Sequence, residues 1–168
     1  MAHSPQAATV YLGLGSNVDA ENNLRSALEY LQSEFGEVER SPVYRSKAVG
    51  FSGDDFLNAC CRIETSMSPG VLKDWIATLE NTHGRDRGLP KFADRTLDID
   101  ILLYDDLCGN FDGLELPRDE ILNYAHVLKP LSDIAGARTY PGRNQTIQAC
   151  WEEFRGDRKL ETVDLDQD

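Results

Sequence analysis

The residues best suited to chemistry lie in one short run, Arg95-Thr96-Leu97-Asp98-Ile99-Asp100-Ile101-Leu102-Leu103. Read as a strand, the run turns Leu97, Ile99, Ile101 and Leu103 to a core and Asp98 and Asp100 to the opposite face. The two aspartate Cα atoms are then ~6.6 Å apart. Carboxylates that close repel each other unless something neutralises them, and aspartate is a poor strand former. A divalent cation resolves the repulsion. Mg²⁺ in particular takes one or two carboxylates and completes its shell with phosphate oxygens and water. The alternative, two solvated aspartates on an open sheet face, leaves the repulsion unanswered.

Directly before this pair, Arg85, Arg87, Lys91 and Arg95 place four cations within eleven residues, interleaved with Gly88, Pro90 and Phe92. Alone, this is a solvated basic loop in an acidic chain. Beside Asp98 and Asp100 it suits a polyphosphate, whose oxygens take fork-shaped donors and whose transition state gains from positive charge. Gly13-Leu14-Gly15-Ser16-Asn17 invites comparison with a phosphate loop. It lacks G-x-x-x-x-G-K-[ST] and the third glycine of G-x-G-x-x-G, so a tight strand-to-helix turn is expected there. Phe56, Asn58 and Cys60 share a strand face, where an aromatic ring and an amide can stack on and hydrogen-bond a flat heterocycle. Core packing is the competing use of Phe56. His83 and His126 have no metal-ligand partner at i+3 or i+4.

The elements that must position these residues follow from periodicity. Residues 9–14 read as a strand broken at Gly15. A helix follows, capped by Asp19, with an apolar stripe at Leu24, Ala27, Leu28 and Leu31, and it stops at Gly36. Residues 38–46 read as a second strand with Pro42 as a flaw, and residues 56–65 as a third. Pro69 opens a second helix with a stripe at Leu72, Trp75, Ile76 and Leu79, and Gly84 ends it. Residues 96–104 give the clearest strand. A short strand at 114–116 and helical pieces near 126–135 and 144–154 come after it. The order β α β β α β followed by further helices predicts an α+β, ferredoxin-like sandwich with additional C-terminal helices. Residues 1–8 are expected to form a loose tail, 9–158 a single domain, and 159–168 a solvated acidic tail.

Composition narrows the function. The chain has 168 residues, enough for one domain with a real core, and 40% hydrophobic with 27% charged residues is ordinary for a globular protein. It carries 29 acids against 17 bases, a formal charge of −12, which argues against a sequence-independent nucleic-acid binder. No stretch approaches the ~20 apolar residues of a membrane helix. The start shows no secretion signal, so no membrane partner and a cytoplasmic location are expected. The four cysteines, Cys60, Cys61, Cys108 and Cys150, form no C-x-x-C, and reduced thiols are expected.

Taken together, these motifs resemble the 6-hydroxymethyl-7,8-dihydropterin pyrophosphokinase family of folate biosynthesis, over about residues 9–135. The resemblance rests on Tyr11-Leu-Gly-Leu-Gly-Ser-Asn17, Phe56-Leu-Asn58-Ala, Glu80 followed by Gly84-Arg85-x-Arg87, and Arg95-Thr-Leu-Asp98-Ile-Asp100-Ile-Leu. It implies a ferredoxin-like fold and transfer of diphosphate from ATP to the pterin hydroxymethyl oxygen, leaving AMP. It further implies two Mg²⁺ ions on Asp98 and Asp100, and Arg85 and Arg87 gripping the phosphates. Glu80, Lys91, Phe92, Arg95, Ile101 and Arg118 would face ATP. Ser46, Val49, Phe56, Asn58 and His126 would face the pterin. The implied partners are small molecules acting on a monomer.

Three segments depart from the family pattern. Pro117-Arg118-Asp119 stands where His-Tyr or His-Pro types are common, Tyr124-Ala125-His126 where Arg-Gly-Phe is typical, and Phe92-Ala93-Asp94-Arg95 where Trp-Gly-Pro-Arg is usual. They raise two rival readings, a catalytically weakened pterin- or nucleotide-binding homologue and an acidic protein-interaction domain. An imidazole at position 126 titrates near pH 6.5 when unperturbed, so pterin affinity is expected to vary over pH ~5.5–7.5.

Overall fold

Long, β-branched and aliphatic runs make the central strands. The computed structural model describes residues 7–47, 54–84 and 96–165. In chain order it contains β1 (Ala8–Ser16), α1 (Ala20–Phe35), β2 (Glu39–Arg40), β3 (Val43–Ser46), β4 (Phe56–Thr65), α2 (Pro69–Thr82), β5 (Asp98–Tyr104), β6 (Gly109–Phe111) and β7 (Leu114–Leu116). A 3₁₀ turn (Asp119–Leu122), α3 (Ala125–Ala135), α4 (Ile147–Glu152) and β8 (Glu161–Val163) complete it. The main sheet runs β5-β1-β4-β3-β8, with β2 also on β4, and its pairings are antiparallel. β6 and β7 form a separate hairpin. The result is a mixed α/β architecture with an antiparallel sheet and helices on both faces.

The alternation of β1, β4 and β5 divides the interior. Val10, Leu12, Leu14, Ala59, Cys61, Ile63, Ile99 and Ile101 pack against Leu24, Ala27 and Leu31 of α1 and Leu72, Ile76 and Leu79 of α2. On the other face Tyr11, Cys60, Leu102 and Leu103 pack against Leu128, Leu131 and Ala135 of α3 and Ile147 of α4. Neighbouring Cys60 and Cys61 thus enter opposite cores, and all four cysteines are free. Leu103 was expected in the first core. A register shift, with Tyr11 opposite Leu103 but Leu12 opposite Ile101, makes Leu102 an extra residue and turns Leu103 to the second face.

Local chemistry explains the boundaries. Pro69 stands in the first turn of α2, as the sequence predicts, and Ser68 caps the helix by accepting from the Val71 N–H. Gly36 takes φ 81° and ends α1 with its N–H on the Gln32 carbonyl. Asp19, expected as a side-chain cap, has φ 46° and makes no such bond. The strand expected at residues 38–46 is split into β2 and β3 at Ser41-Pro42. Pro42 has no N–H to give, and Ser41 compensates, its N–H on the Cys60 carbonyl at 2.8 Å and its Oγ accepting from the Cys60 N–H at 2.9 Å.

The C-terminal stretch corrects the expectation of a solvated tail. β8 pairs with β3, Val43 opposite Val163 and Arg45 opposite Glu161. Leu165 is buried in the first core at 2% exposure, and its carbonyl accepts from Arg25 Nε at 2.9 Å. Among the described residues, no helix is long and apolar enough to cross a membrane. Leu165→Ala should cost at least about 2 kcal/mol, as for other buried leucines. Urea unfolding checks this, and an unchanged midpoint would return the segment to a solvated tail.

Candidate active site

The site is built on the second face of the sheet, where three strands bring complementary residues into rows. Gly15 of β1 lies opposite Asn58 of β4 on one side and Asp98 of β5 on the other. Gly13 likewise lies between Cys60 and Asp100. Directly opposed residues share a face, so Asn58, Asp98 and Asp100 project to the same side, with only glycine between them. A Cβ on Gly15 would sit 3.2 Å from Asn58 Oδ1, and one on Gly13 would sit 3.3 Å from the Leu102 side chain. The pair of glycines therefore lets the Leu102 and Asn58 side chains pack directly on the β1 backbone between the amide and the carboxylates. The sequence pattern suggested a strand-to-helix turn here, but β1 runs through Ser16 and both glycines are strand residues. Their i, i+2 spacing is the signal that could have shown it.

Ser16 and Asn17, both buried, secure the flanking segments. Ser16 Oγ donates to the Thr96 carbonyl at 2.6 Å, just before β5, and Asn17 Nδ2 donates to the Asp54 carbonyl at 3.1 Å, just before β4. Neither was singled out from sequence, because their partners lie far along the chain. Asn58 Nδ2 donates to Ser46 Oγ at 2.7 Å, which fixes the amide's orientation and brings together two of the expected pterin residues. Phe56, opposite Ser46, is half-buried beside them. Tyr44, opposite Asn58, was missed: its hydroxyl donates to Asp133 Oδ2 of α3, whose Oδ1 also meets Lys129 Nζ at 2.9 Å. Burial and the Asp133 carboxylate raise the Tyr44 pKa far above the usual phenol value, so it acts as a fixed donor tying β3 to α3.

Charge is concentrated at β5. Burial, then the neighbouring Asp98 charge, pushes the Asp100 carboxyl up to about 7. Glu120 and Glu80 act in the same direction, and Arg118 opposes them. The Arg118 guanidinium lies 3.4 Å from Asp100 Oδ1 and 3.1 Å from Glu120 Oε1. Burial works against the Arg118 charge, but these carboxylates outweigh it and hold the proton more firmly than usual. Its Nε is buried with no hydrogen-bond partner among the described residues. The Arg118 N–H donates to the Leu102 carbonyl at 3.0 Å, anchoring the 3₁₀ turn to β5.

Other expected residues take different places. Glu80, near the end of α2, is 5% exposed, and its Oε2 accepts from the Ile99 N–H at 2.9 Å. Ile101 is 4% exposed and sits in the first core, so its side chain faces away from the aspartates. His126 opens α3 and stacks on Tyr124 with ring centroids 5.2 Å apart. Burial lowers its pKa to about 4, which overturns the expected titration between pH 5.5 and 7.5. Val49, Arg85, Arg87, Lys91, Phe92 and Arg95 lie outside the described residues.

The profile of the family described as 7,8-dihydro-6-hydroxymethylpterin-pyrophosphokinase matches residues 11–136. The chain is similar to the 2-amino-4-hydroxy-6-hydroxymethyldihydropteridine pyrophosphokinase of Haemophilus influenzae, 35% identical over 156 residues, which cover 90% of this chain and 96% of that protein. It is 43% identical over 130 residues to the Aquifex aeolicus protein of the same name, covering 76% of this chain and 80% of the other. Its fold is similar to that of crystallised Plasmodium falciparum HPPK-DHPS, with TM-score 0.69 and 13% identity over 91% of this chain. The chain spans 44% of that longer structure's length.

Two outcomes follow from the titrating groups. A carboxyl whose folded pKa lies above its unfolded value of 3.8 stabilises the fold below that value, and the benefit is lost as pH rises to about 7. In chelator, wild-type Tm should therefore fall relative to Asp100→Asn between pH 4 and 7, and the gap should then level off. Parallel Tm curves across that range would refute the strained Asp100 carboxyl. For His126, proton NMR should show a neutral ring throughout pH 5.5–7.5, and a midpoint near 6.5 would place the ring in solvent instead.

Proposed function

The chain belongs to the 7,8-dihydro-6-hydroxymethylpterin-pyrophosphokinase family, and we propose that it transfers diphosphate from ATP to the hydroxymethyl group of a reduced pterin in folate biosynthesis. The pterin oxygen attacks the β-phosphorus, the bond between that phosphorus and the α,β-bridging oxygen breaks, AMP leaves, and the hydroxyl proton passes to solvent. The observation that carries the reading is the register that sets the Asp98–Asp100 pair on the same sheet face as Asn58, across Gly13 and Gly15.

The donor set suits Mg²⁺. Among the described residues there is no cluster of three or more His, Cys, Asp or Glu side chains able to hold a metal, so the protein offers two hard carboxylates and leaves the remaining positions to phosphate and water. With Asp98 and Asp100 as ligands, bound Mg²⁺ supplies neutralisation of polyphosphate charge and a more acidic substrate hydroxyl. The other roles belong to this chain's side chains. Asn58, already oriented by Ser46, reads the edge of the pterin, and Phe56 covers one ring face, with Val49 and His126 completing the pocket. Arg85, Arg87, Lys91 and Arg95 supply positive charge where it builds on the transferring phosphates. Phe92 and Ile101 belong to the ATP side of the site, Ile101 through its backbone. Arg118 joins them from the 3₁₀ turn, its orphaned Nε available to a phosphate oxygen.

In this reading the order β5-β1-β4-β3 is that of a ferredoxin-like βαββαβ sandwich, which β8 extends at one edge. Residues 8–165 then form one domain. The enzyme works as a cytoplasmic monomer on small molecules, in keeping with its free cysteines and acidic charge.

Incubation with Mg²⁺-ATP and 6-hydroxymethyl-7,8-dihydropterin should yield AMP and no ADP, and ADP as main product would sink the diphosphate-transfer reading. Asp98→Ala or Asp100→Ala should lower turnover by about two orders of magnitude or more, given the several kcal/mol that metal-assisted charge stabilisation supplies. Both should stay folded. Full activity in both would place the metal elsewhere. Absence of turnover, with thermal stabilisation by Mg²⁺-ATP retained, would favour the weakened homologue suggested by Arg118, Asp119, Tyr124 and His126.

A further inference from the structure

Among the described residues β5 is the last strand of the sheet on its side, and none pairs with its outer edge. The Ile99 N–H points to that edge, between the two aspartates in sequence, and Ile99 itself is 5% exposed. A buried edge N–H without a partner costs about 1–3 kcal/mol and lets the peptide tilt toward water. Glu80 fills the role of the missing strand: its Oε2 accepts that N–H at 2.9 Å. The helix behind it is held by Leu72, Ile76 and Leu79 in the first core, so the carboxylate reaches β5 from a rigid base. Bringing a third carboxylate close to Asp98 and Asp100 is electrostatically unfavourable. The arrangement is sensible if the hydrogen bond fixes something that those aspartates need.

We propose that Glu80 is a positioning residue of the diphosphate-transfer site, whose bond to the Ile99 N–H locks the peptide that sets Asp98 and Asp100 on one face. The inference rests on the proposed function. That N–H belongs to the Asp98–Ile99 peptide, which joins Asp98 to the residue before Asp100. If it rotates, mutual repulsion splays the aspartates and a cation loses the paired donors. The acceptor atom performs this task. The negative charge does not.

The test measures the backbone and the metal separately from turnover. Amide exchange of Ile99 is followed by NMR, and Mn²⁺ binding in the presence of α,β-methylene-ATP by water-proton relaxation. In Glu80→Ala, Ile99 protection should fall about 10- to 100-fold while the Leu12 and Leu14 amides keep theirs. Mn²⁺ affinity should weaken about tenfold or more, as for other groups that orient metal ligands. Glu80→Gln, which keeps an acceptor oxygen without the charge, should recover both. Glu80→Met, apolar and of similar length, replaces the alanine variant if that one fails to fold. Unchanged Ile99 protection in the alanine or methionine variant overturns the proposal. So does unchanged Mn²⁺ affinity once Ile99 is freed, or a glutamine variant that protects Ile99 yet binds Mn²⁺ as poorly as the alanine one. Failure of the wild type to form AMP would instead strike the proposed function, and would leave the Ile99 result standing.

Discussion

The repulsion between Asp98 and Asp100 is the interaction around which the site is arranged. Strand geometry forces two side chains at i, i+2 onto one face, and burial raises the cost of keeping both charged. The fold answers with fixed geometry. β1 pairs along one side of β5, Glu80 bonds the other side at Ile99, and Arg118 places a cation 3.4 Å from Asp100. None of these removes the strain on Asp100, whose carboxyl still holds its proton to about pH 7. A divalent cation held by both carboxylates, as in the proposed function, would relieve their repulsion.

The two faces of the sheet divide the work. The first face is packed with Leu, Ile and Val against α1 and α2, and its rigidity holds β5 and the Glu80 carboxylate in place. The second face carries the polar rows, and α3 covers it around Tyr11 and Cys60. Glycine at positions 13 and 15 is what allows Leu102 and Asn58 to pack closely on the β1 backbone, since a side chain at either position would crowd them. Tyr44 and Asp133 pin α3 to the same sheet, so the helix that bears His126 is fixed relative to Asn58.

What could be read from the sequence was what depends on local periodicity. The stripes of α1 and α2, the alternation around Asp98 and Asp100, and the opposite facing of Cys60 and Cys61 all follow from periods of 3.6 and 2. What escaped depends on pairing between distant segments. The bulge that turns Leu103 exists because β1 and β5 twist together. Ser41 Oγ can accept the Cys60 N–H beside the break at Pro42 because Cys60 lies across from it. Three residues of an acidic tail become β8 because β3 offers an open edge and Leu165 a buried anchor. His126 was legible as a helix-opening residue, but its neutral state is set by burial, which the one-dimensional pattern does not contain.

The overall charge of −12 might suggest a poor host for a polyphosphate, yet it has little bearing on the site. At physiological ionic strength, exposed charges are screened beyond about 8 Å, so acids on α1 and near the C-terminus contribute little at Asp100. The local balance decides. Among the described residues that act on Asp100, Asp98, Glu80 and Glu120 oppose one cation, Arg118. The sequence supplies four more cations, Arg85, Arg87, Lys91 and Arg95, in the segment that leads directly into β5. In the proposed function, acids on the strand and bases just before it in the sequence would give a divalent ion and a phosphate chain separate places to bind.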